Sequence, residues 1–148
     1  METKIEAAVD LFNRGFNCAQ AVLSSHCEEY GLSEELAKKL ACGFGAGMGY
    51  NGEVCGAVTG AFMLIGLKYG KYNEFDNAAK EKTYKLVRDF TEKFKKEYGT
   101  IICKELTKYD IVNEEEAVKA KDSGVFKTFC PLLVKRATEL AEEILKSS

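Results

Sequence analysis

Tryptophan is absent from these 148 residues, proline and histidine occur once each, and no two cysteines are spaced Cys-x-x-Cys. Each absence excludes something. A single histidine, His26, counts against His-rich metal centres and against Ser-His-Asp or Cys-His catalysis, and leaves His26 to be read as an ordinary helix residue. Without Cys-x-x-Cys, a zinc ribbon and a thioredoxin-type motif both lose the local turn on which they depend, and covalent haem of the usual kind is excluded with them. No basic patch gathers anywhere: lysines alternate with glutamates and the net charge is −2, so no nucleic-acid partner is expected. The longest uncharged apolar run, Val54 to Leu67, falls short of the roughly 20 residues that span a bilayer, so no membrane insertion is expected. The opening residues, with Glu2, Lys4 and Glu6, lack the apolar core of a signal peptide, and the expected location is cytoplasmic.

What is present is 46% hydrophobic and 30% charged residues, six cysteines and thirteen glycines. With no strand alternation, internal repeat or linker, this composition predicts one all-α domain over residues 1–148, of about six helices. Five glycines between Gly43 and Gly52 form a loop that delivers the chain to Cys55. Behind it, the run Val54–Leu67 is expected to be a buried central helix over about 54–68, in which Gly56 and Gly60 allow a neighbour to approach closely. The loop contains a literal Gly-x-Gly-x-x-Gly at Gly47, Gly49 and Gly52. It follows a helix instead of a strand, so it reads as a flexible turn and not as a dinucleotide fingerprint.

Helix signals then order the chain. Ile5, Ala8, Val9 and Phe12 mark a first helix ended by Gly15, and Asn17 caps a second that Gly31 stops. Ser33 caps a third, with Leu36, Ala37, Leu40 and Ala41 expected on its inner face. Phe75, Ala79, Tyr84, Leu86, Val87, Phe90, Phe94 and Tyr98 mark the stripe of the longest helix, stopped by Gly99. Thr100 caps a short helix holding Cys103, Asn113 caps another that fades before Gly124, and Pro131 places Cys130 at the N-cap of the last.

This order sorts the cysteines. Cys18, Cys55, Cys103 and Cys130 each fall at a helix start, where unpaired N–H groups and the macrodipole favour a thiolate, so depressed pKa values are expected at all four. Cys27 and Cys42 fall near helix ends and are expected to be packing residues. The separations of 37, 48 and 27 positions mean that any site joining the four is assembled by the fold.

The segments Phe16–Val22, Gly43–Gly49, Cys55–Ala61 and Cys130-Pro131 together resemble the C_GCAxxG_C_C family, named for its cysteine pattern and described as redox-active. The likeness runs from about residue 5 to 145, and Cys18, Cys55, Cys103 and Cys130 correspond to the pattern's cysteines. Here the chain spells Val54-Cys55-Gly56-Ala57 in place of the pattern's Gly-Cys-Ala. The leading expectation is thiol/disulfide exchange or electron transfer by these four, with Cys55 as the attacking thiolate, served by a redox partner protein or a small-molecule electron donor. One alternative is that the same four bind zinc or an iron–sulfur cluster. The other is a helical interaction module with structural cysteines, and Gly-rich apolar helices packing between chains are compatible with a homodimer.

Overall fold

The structure is a computed structural model that describes residues 2–147. It is all-α, with eight principal helices: α1 (Lys4–Asn13), α2 (Cys18–His26), α3 (Glu34–Ala41), α4 (Gly56–Tyr69), α5 (Asn77–Tyr98), α6 (Cys103–Thr107), α7 (Glu114–Ser123) and α8 (Cys130–Ser147). The only β pairing among the described residues is an isolated antiparallel bridge between Val54 and Ile102. No helix among them is long and apolar enough to cross a membrane.

The helix boundaries follow local chemistry. Asn17 and Gln20 form a reciprocal capping box at the start of α2: the Asn17 side chain accepts from the Gln20 N–H, and the Gln20 side chain accepts from the Asn17 N–H. Thr3, Ser33, Asp76 and Asn113 each accept an N–H from three residues on. Gly31, Gly99 and Gly124 end their helices with positive φ, where a side chain would be strained.

Helix α4 lies at the centre, with residues 56–61 and Leu64 and Ile65 buried. Helices α2, α5 and α8 pack around it. It meets α2 through its two glycines. A Cβ on Gly60 would lie 3.0 Å from the Ala19 carbonyl oxygen and 3.0 Å from Val22 Cβ, and one on Gly56 would lie 3.0 Å from the Ala19 nitrogen. The small residues therefore act as contact surface, as their spacing predicts. An aromatic row continues from α4 to the start of α8: Phe62 meets Phe90 at 5.8 Å, Phe90 meets Phe94 at 6.0 Å, Phe94 meets Tyr98 at 4.8 Å, and Tyr98 meets Phe129 at 6.3 Å.

Three expectations are corrected. On α3 only Ala37 and Ala41 are buried, whereas Leu36 and Leu40 are 56% and 58% exposed, because the small residues sit against the core and the leucines flank them. Helix α5 starts after Phe75, which is 84% exposed, and its first turns project beyond the core, leaving Tyr84 at 57%. Cys42 is exposed and takes no part in packing, unlike Cys27, which is fully buried.

The glycine contacts yield a paired prediction. Replacing Gly60 by Ala forces a methyl group against α2 and is expected to cost about 1–3 kcal/mol. Gly66 on the same helix has open space around its Cα, so Gly66→Ala is expected to leave stability unchanged or raise it by up to about 1 kcal/mol. Urea unfolding midpoints of the two variants check the difference.

Candidate functional site

Local structure delivers each of the four expected cysteines to the first positions of a helix. The Asn17 capping box puts Cys18 first in α2, and the Asn17 amide also donates to the Cys42 carbonyl at 2.9 Å, tying that cap to the glycine loop. Cys55 is the N-cap residue of α4, Cys103 is the first residue of α6, and Cys130 is the first of α8, one position later than the N-cap its proline suggests.

Backbone hydrogen bonds bring two of these starts together. Cys55 N–H donates to the Ile101 carbonyl at 2.8 Å, Lys104 N–H donates to that of Gly52 at 3.1 Å, and Cys103 N–H donates to that of Glu53. Segments 52–55 and 101–104 thus run side by side. The missing side chain of Gly56 brings in the third, since its Cβ position lies 3.2 Å from Cys18 Cβ.

The loop before Cys55 is an ordered left-handed turn. Ala46, Gly47, Met48, Gly49 and Tyr50 all have φ between 52° and 72°, and three of these are not glycine. Each non-glycine residue in this conformation costs about 1 kcal/mol or more, and the turn is held by Gly49 N–H to Gly45 O at 3.0 Å and Glu53 N–H to Gly47 O at 2.9 Å. Gly47 is required sterically: a Cβ there would lie 2.6 Å from the Glu53 nitrogen.

Cys18, Cys55, Cys103 and Cys130 all line one cavity of about 540 Å³. It lies where the main core, containing Cys18, Cys55 and Cys130, meets a smaller cluster of Cys103, Ile111 and Ala120. Phe12, Leu106, Phe126 and Leu133 contribute its apolar walls, and the left-handed turn contributes Ala46, Gly47 and Tyr50. Cys27, Cys42 and His26 are not part of it. His26 is buried between Ser25 Oγ at 2.7 Å and Glu142 Oε2 at 3.0 Å, in a separate depression; burial holds its pKa below the ordinary value.

The protonation pattern differs from the one helix starts alone predict. Burial pushes the Cys55 thiol up to about 12, even though backbone N–H groups of Ala57 and Val58 act in the opposite direction. Burial likewise pushes Cys103 up to about 11. Only Cys130 is lowered, by the neighbouring Cys18 thiol; the same interaction, with burial, raises the pKa of Cys18 well above the ordinary range. Desolvation outweighs the helix-end effect at Cys55 and Cys103, and at Cys18 it adds to the effect of Cys130. All six cysteines are free thiols.

Zinc or an iron–sulfur cluster would require several of these sulfurs drawn onto one centre. Among the described residues, no group of three or more His, Cys, Asp or Glu side chains is arranged to hold a metal ion. The helix starts marked the four cysteines in the sequence, but the cavity's Phe12, Tyr50, Lys121 and Lys127 carried no motif that could have identified them.

The family model described as "Putative redox-active protein (C_GCAxxG_C_C)" matches residues 16–144. No curated protein gives a significant match, and no solved structure does so either.

The effect of Cys18 on Cys130 has a measurable consequence. Removing the neighbouring thiol in Cys18→Ala is expected to move the pH profile of Cys130 alkylation upward, towards that of an unassisted thiol, while Cys42 alkylation is unchanged. Rates followed by peptide mass spectrometry across pH 6 to 10 check the direction.

Proposed function

The chain belongs to the C_GCAxxG_C_C family, and from that premise we propose that it works by thiol–disulfide exchange, with Cys130 as the attacking thiolate and Cys18 as the resolving thiol. The single observation that carries this reading is that Cys18, Cys55, Cys103 and Cys130 line one cavity, where the neighbouring Cys18 thiol lowers the pKa of Cys130. An attacking thiol needs both an accessible sulfur and a thiolate fraction near the working pH. Cys130 lines the cavity and has the lowered value, so it takes the role that the sequence suggested for Cys55.

The exchange balances with a disulfide as the oxidant. The Cys130 sulfur attacks one sulfur of the incoming disulfide, forming a mixed disulfide and expelling the other sulfur as a thiolate. Cys18 then attacks the Cys130 sulfur, losing its proton as the Cys18–Cys130 disulfide forms and the second substrate sulfur leaves. Two electrons pass to the substrate, and the Cys18 proton goes with one of the two products. Cys55 and Cys103, kept protonated by burial, prevent several negative charges from crowding one apolar space.

Treating the reduced protein with dithiodipyridine tests the roles. Apart from a thiopyridyl group taken up by the exposed Cys42, the full chain is expected to lose two hydrogens, with the bond mapped to Cys18 and Cys130 by peptide mass. Cys18→Ser is expected to stall as a mixed disulfide on Cys130, and Cys130→Ser to form no bond at Cys18, while Cys55→Ser still yields the Cys18–Cys130 bond. A mixed disulfide trapped on Cys55 in place of Cys130 contradicts the assignment.

A further inference from the structure

The cavity has a charge pattern that thiol chemistry alone does not require. Its volume of about 540 Å³ is within the range of sites that enclose a small organic molecule, and its walls are predominantly carbon and sulfur. No acidic side chain lines it. The two charged residues that do line it are Lys121, in the last turn of α7, and Lys127, just after Gly124. Both are exposed, as are Tyr50 and Val118, and these four mark where the cavity meets solvent; the four cysteines are buried at its inner wall. Among the described residues, neither lysine is engaged in an ion pair, although Lys4, Lys38, Lys39, Lys85 and Lys146 all are.

We propose that this cavity binds a small organic anion with an apolar body, which enters body first and leaves its acidic group at the mouth beside Lys121 and Lys127. Apolar surface transferred from water into the cavity supplies the attraction. The two cations set the sign of the charge that is tolerated at the mouth and the direction in which the ligand enters. A cationic ligand of the same shape meets two like charges with no carboxylate in the cavity lining to offset them. This deepens the thiol-exchange reading and rests on it for one point: the ligand's reactive end is the inner one, remote from its acid and adjacent to Cys130.

The probes are 4-phenylbutyrate and 4-phenylbutylamine, which share one apolar body and differ in the sign of the terminal charge. With the reduced full-length protein, phenylbutyrate is expected to bind by calorimetry and to slow alkylation of Cys130 without affecting the exposed Cys42. The amine is expected to bind about threefold to tenfold more weakly, and the double substitution Lys121→Gln with Lys127→Gln to remove most of that difference, the range expected for two exposed charges. Both lysines are solvent-exposed, so the variant is expected to keep the wild-type circular dichroism spectrum. The proposal is overturned if phenylbutyrate fails to bind, if it binds without protecting Cys130, if the amine binds equally well, or if the double variant retains the full preference. Dithiodipyridine oxidation of the same samples separates the two readings. Protection of Cys130 with no Cys18–Cys130 bond leaves the anion site standing and removes the exchange chemistry, and the bond without protection does the reverse.

Discussion

The close approach of α2 to α4 is the contact on which the site depends. Because Gly56 and Gly60 carry no side chains, the backbone of Ala19 lies against α4, and the first residue of α2, Cys18, is carried to the amino end of α4 where Cys55 sits. Two further constraints converge on the same place. The hydrogen bonds between residues 52–55 and 101–104 bring Cys103 alongside Cys55, and the aromatic row ending at Phe129 sets the start of α8, and with it Cys130. Three kinds of interaction, small-residue packing, backbone pairing and aromatic contact, thus assemble cysteines that are separated in sequence by gaps of up to 48 positions.

Once the thiols are assembled, two electrostatic effects compete over them. A helix start offers N–H groups and the positive end of the macrodipole, worth up to about 1–2 kcal/mol in a favourable partly buried geometry. Burial in an apolar pocket withdraws solvation from a thiolate and can shift a pKa by several units, equivalent to several kcal/mol. At Cys55 both act on the same sulfur and burial wins, leaving its pKa at about 12. At Cys130 the neighbouring Cys18 thiol reverses the outcome and favours charge on the Cys130 sulfur. Chemical individuality among four similarly placed cysteines therefore arises from a contact between α2 and α8, two elements far apart in the chain.

That distinction also explains which features were legible in the sequence. Capping is local, so Asn17, Ser33 and Asn113 could be read directly, as could the stops at Gly31, Gly99 and Gly124 and the four cysteines at helix starts. The spacing of Gly56 and Gly60 announced a close contact, and their surroundings bear it out. Periodicity, by contrast, shows that a helix has an apolar face without showing how far its neighbours extend. Periodicity therefore puts Leu36 and Leu40 inside although only Ala37 and Ala41 are, and it extends the stripe to Phe75 and Tyr84 although the core reaches only farther along α5. Left-handed φ at Ala46, Met48 and Tyr50 was illegible for a related reason: residues of these types adopt it only when surrounding hydrogen bonds compel them. The order of thiol acidity depends on burial and on a neighbour distant in the chain, neither of which has a sequence signal.

The most direct test of this account is proximity cross-linking of the reduced protein with a short bifunctional thiol reagent at low protein concentration, with the joined peptides identified by mass. The account predicts intramolecular links drawn only from Cys18, Cys55, Cys103 and Cys130, with Cys27 unlinked behind the core. Links from Cys27 to any of the four, or no links among the four under conditions where Cys42 is fully labelled, would contradict the claim that the fold gathers these helix starts around one cavity.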